Sequence, residues 1–212
     1  MDGKNMYNRA INHLILRQTL GFLGIALPAL VILLGLLGYN GPQWYYSISA
    51  TYYANSGTVF ILIMGAVAFF LMTYRMYSWL DSFVNFMSGV FALVIVLFPC
   101  YTTELTHVGT FNLPVELSAF IHNVAACAFF TLLAFNILFL FTRKDKHPTK
   151  QKLARNKVYR ICGLGIVLFM AAQITCTFMA FTGPYTMVNE AGMLLCFGVA
   201  WLVKGQGLLK DV

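Results

Sequence analysis

Residues 19–38, TLGFLGIALPALVILLGLLG, form an apolar run of the length that a membrane-spanning helix needs. The hydrocarbon core of a bilayer is about 30 Å thick and an α-helix rises about 1.5 Å per residue, so roughly 20 apolar residues cross it. No charged residue lies in this run, and Pro28 is its one proline. The stretch therefore predicts a transmembrane helix, with a kink at Pro28 because proline cannot donate the helical hydrogen bond.

Five further apolar runs repeat this pattern along the 212-residue chain. With the first run they cover residues 19–38, 56–73, 81–98, 117–142, 158–181 and 187–204. Backbone groups in lipid must be paired within a helix or in a closed barrel, and these runs lack the alternation of barrel strands. The sequence therefore predicts an all-α bundle of six transmembrane helices in a single domain.

The composition is typical of a chain that lies mostly in lipid. Apolar residues make up 59% of it and charged residues only 10%, with a mean hydropathy of +0.74. A soluble domain, by contrast, has about a quarter of its residues charged. The five cysteines form no C-x-x-C pair, which indicates small buried side chains rather than a disulfide framework or a thiolate metal site.

Small and amide side chains within the runs are predicted to join neighbouring helices. Ser88, Gly89 and Ala92 on the third run are small enough for a close helix contact,. Asn85 and Asn136 lie near the cytoplasmic ends of the third and fourth runs. We expect these two amides to form interhelical hydrogen bonds rather than an ion path.

The basic residues predict the orientation of the bundle. Lys and Arg are retained on the cytoplasmic side of a membrane. All 14 of them fall before the first run, between the second and third, around the gap between the fourth and fifth, or at and after the end of the sixth. Both termini are therefore predicted to be cytoplasmic, in a multi-pass protein of the cell (inner) membrane. This topology also accounts for the net charge of +7 without a nucleic-acid partner.

The densest basic segment is Arg143–Arg160, which contains eight Lys and Arg residues. Such a segment attracts anionic lipid head groups by about 1 kcal/mol per charge near the membrane surface. Topology alone also accounts for the same residues. The sequence leaves both interpretations open.

Ionisable groups inside the apolar runs mark the candidate site, because each one costs about 2.5–3.5 kcal/mol to insert. His122 lies about a turn and a half inside the outer end of the fourth run, and Glu190 lies about one turn inside the outer end of the sixth,. Gln173 on the fifth run reaches the same outer half. We expect His122 and Glu190 to form the floor of a ligand-binding pocket that opens to the outer leaflet.

The two longer outer loops are predicted to wall this pocket. Each is long for a turn and carries side chains that can bind or react, as functional loops on a rigid scaffold do. These side chains are Ser49 and Tyr53 in the first loop, and Glu104 and His107 in the second.

Simpler interpretations of these two ionisable residues within the apolar runs also exist. The His122 ring is equally explained by a hydrogen bond to a backbone carbonyl or to a neighbouring helix. The Glu190 side chain is long enough to reach the outer water from one turn deep.

Two kinds of catalytic chemistry have suitable side chains at this pocket. Zinc needs three or four His, Cys or carboxylate ligands, and such side chains are His122, Glu190, His107 and Glu104. No ligand motif such as H-E-x-x-H is present, so no metal and no other cofactor is expected. Ser49, His122 and Glu190 have the residue types of a hydrolytic triad, but no G-x-S-x-G motif surrounds Ser49,.

Seven short motifs are spread over most of the chain. They are Ser47–Tyr53 (SISATYY), Tyr74–Tyr77 (YRMY), Leu97–Pro99 (LFP), His122, Phe139–Thr142 (FLFT), Arg155–Gly163 (RNKVYRICG) and Trp201–Gly205 (WLVKG). Together they resemble an uncharacterised family of bacterial six-span membrane proteins, a domain of unknown function. The resemblance implies the six-span fold and brings no activity with it.

Three of these features, together with Glu190, have a second, more distant resemblance. Ile48-Ser49 in the first outer loop, Tyr74-Arg75 after the second run, His122 and Glu190 are similar to the eukaryotic damage-regulated autophagy modulators and the related Golgi protein of GPI-anchor remodelling. Ala50 stands where that family has Asp, and Ala191 where a Trp often follows the Glu. This resemblance implies a lipid-connected role rather than an enzyme of soluble substrates.

The sequence thus predicts an integral membrane protein that binds or handles a lipid or other amphiphile at the outer leaflet. One alternative is a lipid hydrolase or transferase that uses the same residues, with or without a metal. Another is a small-solute transporter or channel. Transporters often contain discontinuous helices and inverted repeats, whereas here only Pro28 interrupts a predicted helix and the deep polar residues form no continuous line.

Overall fold

The computed structural model describes residues 3–40, 44–75, 78–143, 149–179 and 183–209. Within these ranges the chain forms six α-helices, namely α1 (Gly3–Leu36), α2 (Gly57–Thr73), α3 (Trp79–Leu97), α4 (Val115–Phe135), α5 (Lys150–Phe178) and α6 (Tyr185–Lys204). Two stretches that the sequence singles out, Met76-Tyr77 and residues 144–148 of the Arg143–Arg160 segment, lie outside the described residues.

Short elements lie in the two longer loops. The loop between α1 and α2 contains two 3-10 segments, Trp44–Tyr46 and Ser49–Tyr53. The loop between α3 and α4 contains the antiparallel strands β1 (His107–Val108) and β2 (Leu113–Pro114). These loops are the ones predicted to wall the pocket.

Five of the helices formed by the described residues are long and apolar enough to cross a membrane. They are α1 from His13 onward, α3, α4 with the turn that follows it, α5 and α6. Helix α2 is also apolar but is shorter, with 17 residues. The predicted all-α membrane bundle is confirmed at this level. Helices α1 and α5 begin well before their apolar runs, because hydropathy marks the part of a helix that suits lipid and not the helix end.

Glycines allow α1 and α6 to approach each other closely. A Cβ atom added to Gly21 would lie 2.8 Å from the carbonyl oxygen of Gly198, and one added to Gly198 would lie 2.7 Å from that of Gly21. A Cβ atom on Gly89 of α3 would lie 2.6 Å from the carbonyl oxygen of Ala68 on α2. The predicted close contact at Gly89 is confirmed, whereas the Gly21–Gly198 contact was not predicted. Such contacts add van der Waals packing between helices in lipid.

Helix α1 continues through Pro28 from Gly3 to Leu36 as a single element. Helix α4, by contrast, changes its winding and continues into a π-helical turn at Asn136–Leu140. The amide of Phe141 closes this turn by donating to the carbonyl oxygen of Asn136 at 2.9 Å. Single π turns of this kind occur frequently at functional sites. The sequence analysis did not predict it.

Two polar contacts join α3 to the end of α4. The Asn136 Nδ2 donates to Asn85 Oδ1 at 2.8 Å, and both side chains are fully buried, which confirms the predicted interhelical hydrogen bond. Arg143 binds both carboxylate oxygens of the buried Asp81 at 2.9 Å. Asp81 lies in the first turn of α3, where the helix dipole favours a negative charge,. This ion pair was not predicted.

A group of aromatic rings packs beside these contacts, and we call Tyr74, Phe141 and Trp201 the aromatic floor. The rings of Tyr74 and Phe141 lie edge-on to Trp201, with centroids 5.2 and 5.3 Å away, a favourable geometry for aromatic pairs. All three side chains are almost fully buried. We call the end of the bundle that contains the aromatic floor and Asp81 the Asp81 end. The opposite end, where α6 begins, is the Glu190 end.

Candidate functional site

Glu190 binds the 3-10 segment of the first loop. Its Oε1 accepts a hydrogen bond from Ser49 Oγ at 3.1 Å, and its Oε2 accepts one from the Ser49 amide at 3.0 Å. Hydrogen bonds to a carboxylate are stronger than those between neutral groups. The two bonds therefore hold the loop against α6, and the structure brings together two of the predicted site residues.

The loop around Ser49 has a local hydrogen-bonding pattern that explains its tight turn. The Ser47 hydroxyl oxygen accepts from the amide of Ala50 at 2.8 Å, and the Thr51 hydroxyl donates to the carbonyl oxygen of Ile48 at 2.5 Å. Ser and Thr side chains form such turns because they can replace backbone partners. Ile48 is buried and so anchors the turn among the helices.

Ser49 and Glu190 also line a small apolar cavity of about 30 Å³. The rest of its lining is apolar and consists of Leu27, Ile48, Phe60, Met64, Ile95, Ala126, Phe129, Phe130 and Leu194. These residues come from α1, α2, α3, α4 and α6 and from the first loop. Binding sites for whole small molecules have volumes of about 300–1,000 Å³ and a few polar groups in an apolar lining. This cavity has such a lining but is much smaller, so it has room for only a few atoms.

Side chains of α4 and of the first loop hold the chain where it leaves α3. Three consecutive carbonyl oxygens there each accept one side-chain hydrogen bond. The bonds are His122 Nδ1 to Phe98 at 2.8 Å, Ser118 Oγ to Pro99 at 2.8 Å and Tyr53 OH to Cys100 at 2.7 Å. We call this set the 98–100 clamp. It fixes a segment of irregular backbone that would otherwise leave these acceptors unpaired.

The buried His122 thus donates to a backbone carbonyl. This contact is the simpler interpretation that the sequence analysis gave beside the floor of a pocket. No hydrogen bond joins His122 to Ser49 or to Glu190, all three of which lie in the described part of the chain. The residue types of the hydrolytic triad are therefore present, but only Ser49 and Glu190 contact each other. His122 lies one turn before Ala126 on the same face of α4, and Ala126 lines the cavity.

Cys100 and Tyr53 are weakly acidic groups beside the Ser49–Glu190 pair. Burial raises the pKa of the Cys100 thiol to about 12, and the nearby charge of Glu190 raises it as well. Burial likewise raises the pKa of the Tyr53 hydroxyl. Both groups stay protonated near neutral pH, so Tyr53 keeps the proton that it donates to the clamp. Cys100 is a poor nucleophile for the same reason, because the thiolate is the reactive form.

Gln173 takes part in a polar contact between α5 and α6. Its Nε2 donates to Thr186 Oγ1 at 3.0 Å, and its Oε1 accepts from Asn189 Nδ2 at 3.2 Å. Asn189 directly precedes Glu190 in α6, so this contact helps to position the helix turn that carries the carboxylate.

The structure does not bring Glu104 and His107 to the Ser49–Glu190 pair. Both side chains are exposed in the loop between α3 and α4. The His107 ring lies 3.3 Å from the hydroxyl of its neighbour Thr106. Among the described residues, no group of three His, Cys, Asp or Glu side chains lies close enough together to hold a metal ion.

The sequence analysis missed Ser118 and Cys100 as parts of the site. Ser118 lies four residues before His122, hence on the same face of α4. Cys100 directly follows Pro99 at the end of an apolar run. These two positions in the sequence are the signals from which Ser118 and Cys100 could have been identified.

Comparison of the chain with protein-family models, with curated proteins and with solved structures finds no match. The function is therefore inferred from three features of the Glu190 end: the Ser49–Glu190 pair, the apolar cavity and the 98–100 clamp.

Proposed function

We propose that this protein binds an amphiphile, with its polar group at Ser49 and Glu190 and the adjoining end of its apolar part in the cavity. The observation that carries the proposal is the lining of the cavity, which is apolar except at these two residues. An amphiphile has the same division between an apolar and a polar part. Each buried methylene contributes about 0.8 kcal/mol, so one or two methylene groups that enter the cavity contribute about 1–2 kcal/mol.

The polar pair favours a ligand with a hydroxyl or amine group. The Glu190 carboxylate already accepts two hydrogen bonds from Ser49, and a carboxylate has acceptor sites for more. A ligand O–H or N–H group can bind beside Ser49 or replace its hydroxyl. The Ser49 hydroxyl, once displaced, can act as donor or acceptor toward the ligand.

We also propose that the chain crosses the cell (inner) membrane six times, with both termini cytoplasmic and the cavity toward the outer leaflet. Helix α2, with 17 residues, is about 26 Å long, which is close to the hydrocarbon thickness. The positive residues of the loops favour this orientation. Glu104, Glu116 and Glu190 all lie toward the opposite end of the bundle from Asp81. The resemblance to bacterial six-span proteins accords with this topology.

Mass spectrometry of co-purifying small molecules tests the proposed amphiphile. We expect the wild-type protein, extracted in a mild detergent, to retain an amphiphile that is enriched over bulk lipid. Ala126→Leu fills part of the cavity and should reduce this enrichment by about fivefold or more, since each excluded methylene weakens binding. Glu190→Gln should reduce it as well, because it removes the charged acceptor.

Ala172→Leu is the matched control, because Ala172 is exposed on α5 and does not line the cavity. This variant should retain the amphiphile as the wild type does. The same bulk-lipid profile in the wild type and every variant would contradict the proposal.

One contact also favours a second candidate, a lipid hydrolase or transferase. Ser49 Oγ lies 3.1 Å from Glu190 Oε1, and a hydroxyl in hydrogen-bond contact with a carboxylate is the arrangement of a nucleophile and its base. Purified protein should then turn over a lipid ester, and Ser49→Ala should abolish turnover while the amphiphile is still retained. No turnover of any lipid in a broad panel, with or without divalent metal, would exclude this candidate.

A further inference from the structure

The face of α4 that lines the cavity becomes exposed toward the Glu190 end. Phe130, Ala126 and Asn123 follow one another at intervals of four and three residues, which places them on one face of the helix,. Phe130 and Ala126 line the cavity. Phe130 is buried, Ala126 is half-buried and Asn123 is exposed. The cavity-lining side of α4 therefore reaches the surface of the bundle at Asn123.

The side of α5 that contacts α4 shows the same trend. A Cβ atom added to Gly163 would lie 3.4 Å from Ile137 Cγ2, just after α4. Nearer the Glu190 end, the Thr131 hydroxyl lies 3.7 Å from Met170 Sδ. Gly163, Met170 and Thr177 are spaced by seven residues, so they share one face of α5,. Gly163 is buried, Met170 is half-buried and Thr177 is exposed, so α4 and α5 separate toward the Glu190 end.

A polar side chain borders the gap that this separation leaves. We call the gap between Asn123 of α4 and Thr177 of α5 the α4–α5 cleft. Asn123 lies about two turns inside the start of α4,. Its amide is exposed and forms no hydrogen bond within the part of the chain that the structure describes. Lipid chains offer no hydrogen-bond partner at this depth, so the amide favours a polar ligand group in the cleft.

Gln173 connects the cleft to Glu190. Its Nε2 lies 3.4 Å from Thr177 Oγ1 at the cleft and 3.0 Å from Thr186 Oγ1 on α6. Its Oε1 accepts a hydrogen bond from Asn189, the residue before Glu190. Gln173 is only half-buried. A polar group that moves from the cleft toward Glu190 therefore passes hydrogen-bonding side chains of α5 and α6.

The helix segments along the cleft carry no basic side chain for a phosphate group. Helix α4 contains no Lys or Arg, and neither does α5 beyond Arg160. Amide and hydroxyl groups bind other hydroxyl groups, and a carboxylate such as that of Glu190 accepts from a donor. The same carboxylate repels a negatively charged head group. The chemistry of the cleft therefore fits a lipid with a free hydroxyl and no phosphate, such as a diacylglycerol.

The cavity has a volume of only about 30 Å³, so most of a bound lipid must stay outside it. We infer that the α4–α5 cleft is the lateral entrance for such a lipid, whose hydroxyl group passes Asn123 and Gln173 to reach the Ser49–Glu190 pair. Its acyl chains remain in the surrounding bilayer, because the exposed sides of both helices border the cleft. This inference rests on the amphiphile proposed above and adds its chemical class and its route.

Photolabelling in a bilayer tests the entrance. The full chain is reconstituted in phosphatidylcholine vesicles, to which a diacylglycerol with a diazirine in one acyl chain is added. Labelled peptides are identified by mass spectrometry as a function of time. We expect residues 120–127 of α4 and 170–177 of α5 to be labelled first, and residues 189–195 of α6 later. An excess of unlabelled diacylglycerol should suppress this labelling, whereas phosphatidylcholine with the same diazirine should label no peptide saturably.

Variants of the cleft separate entry from binding. Asn123→Leu removes the amide at nearly constant volume and should slow the labelling of α6 about fivefold, the effect of one lost hydrogen bond. The final extent should stay unchanged, because an entrance affects entry and exit alike while the Ser49–Glu190 pair is intact. Thr177→Trp narrows the cleft and should slow the labelling as well. Thr175→Val is the matched control, since Thr175 is also exposed on α5 but lies on another face,.

The entrance and the amphiphile fail in different ways. Saturable labelling of α6 with none at the cleft, or equal labelling rates in Asn123→Leu and Thr175→Val, would overturn the entrance and leave the amphiphile site standing. Efficient cross-linking of two copies through Asn123→Cys, in a variant without the five native cysteines, would also overturn it, because the face would then join two copies of the chain. The absence of saturable labelling of α6 in the wild type would instead contradict the amphiphile itself, and the entrance with it.

Discussion

Polar side chains connect different kinds of partner at the two ends of the bundle. At the Asp81 end they join one helix to another or to the turn that follows it, as in the Asn85–Asn136 and Asp81–Arg143 contacts. At the Glu190 end, Gln173 also joins α5 to α6, but Glu190 and the 98–100 clamp bind loop backbone. Loop backbone can move farther than a packed helix. The comparison teaches that polar side chains hold helices and the turns after them at one end, while at the end that borders the cavity they also hold loop backbone in place.

The largest expected effect concerns the contact of α1 with α6, which lies toward the Asp81 end of the bundle. Gly198→Ala places a methyl group 2.7 Å from the Gly21 carbonyl oxygen, so the helices must separate. We expect a loss of about 3 kcal/mol in the free energy of unfolding, measured by denaturant titration in a mild detergent. Gly65→Ala is the control, because a Cβ there meets nothing within 4 Å. Equal losses in both variants would show that the glycine contact is unimportant.

The second prediction concerns the clamp at the Glu190 end. His122→Ala removes the donor to the Phe98 carbonyl oxygen and leaves a small cavity, which should cost about 2 kcal/mol,. Because the clamp holds a loop, hydrogen exchange should rise mainly in residues 98–106. The exposed His107 is the matched control, and His107→Ala should change stability by less than about 0.5 kcal/mol. Faster exchange throughout the helices would contradict the proposed local role.

The third prediction measures one helix-to-helix hydrogen bond at the Asp81 end. Asn136→Ala leaves Asn85 Oδ1 without its donor and should cost about 1 kcal/mol. A double-mutant cycle with Asn85→Ala should give a coupling energy of about 0.6–1.7 kcal/mol. A coupling energy of zero would mean that the two amides do not depend on each other for stability.

The smallest expected effect reports the charge of Glu190. In a variant with Cys100 as its sole cysteine, alkylation should be slow at pH 9, since burial and the charge of Glu190 raise the thiol pKa to about 12. Glu190→Gln removes the negative charge, so the pKa should fall and alkylation at pH 9 should become about threefold faster. An unchanged pH–rate profile in this variant would contradict a charged Glu190 beside Cys100.

The sequence predicted those features of the fold that depend on hydropathy and on side-chain size. Each of the six apolar runs falls largely within one of the six helices of the described residues. The close contact of Gly89 and the interhelical hydrogen bonding of Asn85 and Asn136 were also expected. The Asp81–Arg143 ion pair was missed because both residues were considered only as charges that set the topology. Their pairing depends on where α3 begins relative to the end of α4, which hydropathy does not give.

For the candidate site, the sequence identified side chains better than their partners. Ser49 and Glu190 were both selected, but their direct contact depends on how the first loop folds over α6. His122 was selected for its depth, and its partner is a backbone carbonyl, which has no signature in a sequence. Glu104 and His107 were selected because their side chains can bind or react, yet the loop between α3 and α4 leaves both side chains exposed.

The π turn at Asn136–Leu140 sets the direction in which the chain leaves the helix that begins with α4. Each residue of an α-helix advances the chain by about 100° around the axis, so one additional residue rotates the next side chains by that angle. Phe141 and Arg143 come directly after the turn. Phe141 packs against Trp201, and Arg143 binds Asp81. A deletion of one residue within the turn would change where both side chains begin, so this turn links the aromatic floor to the ion pair.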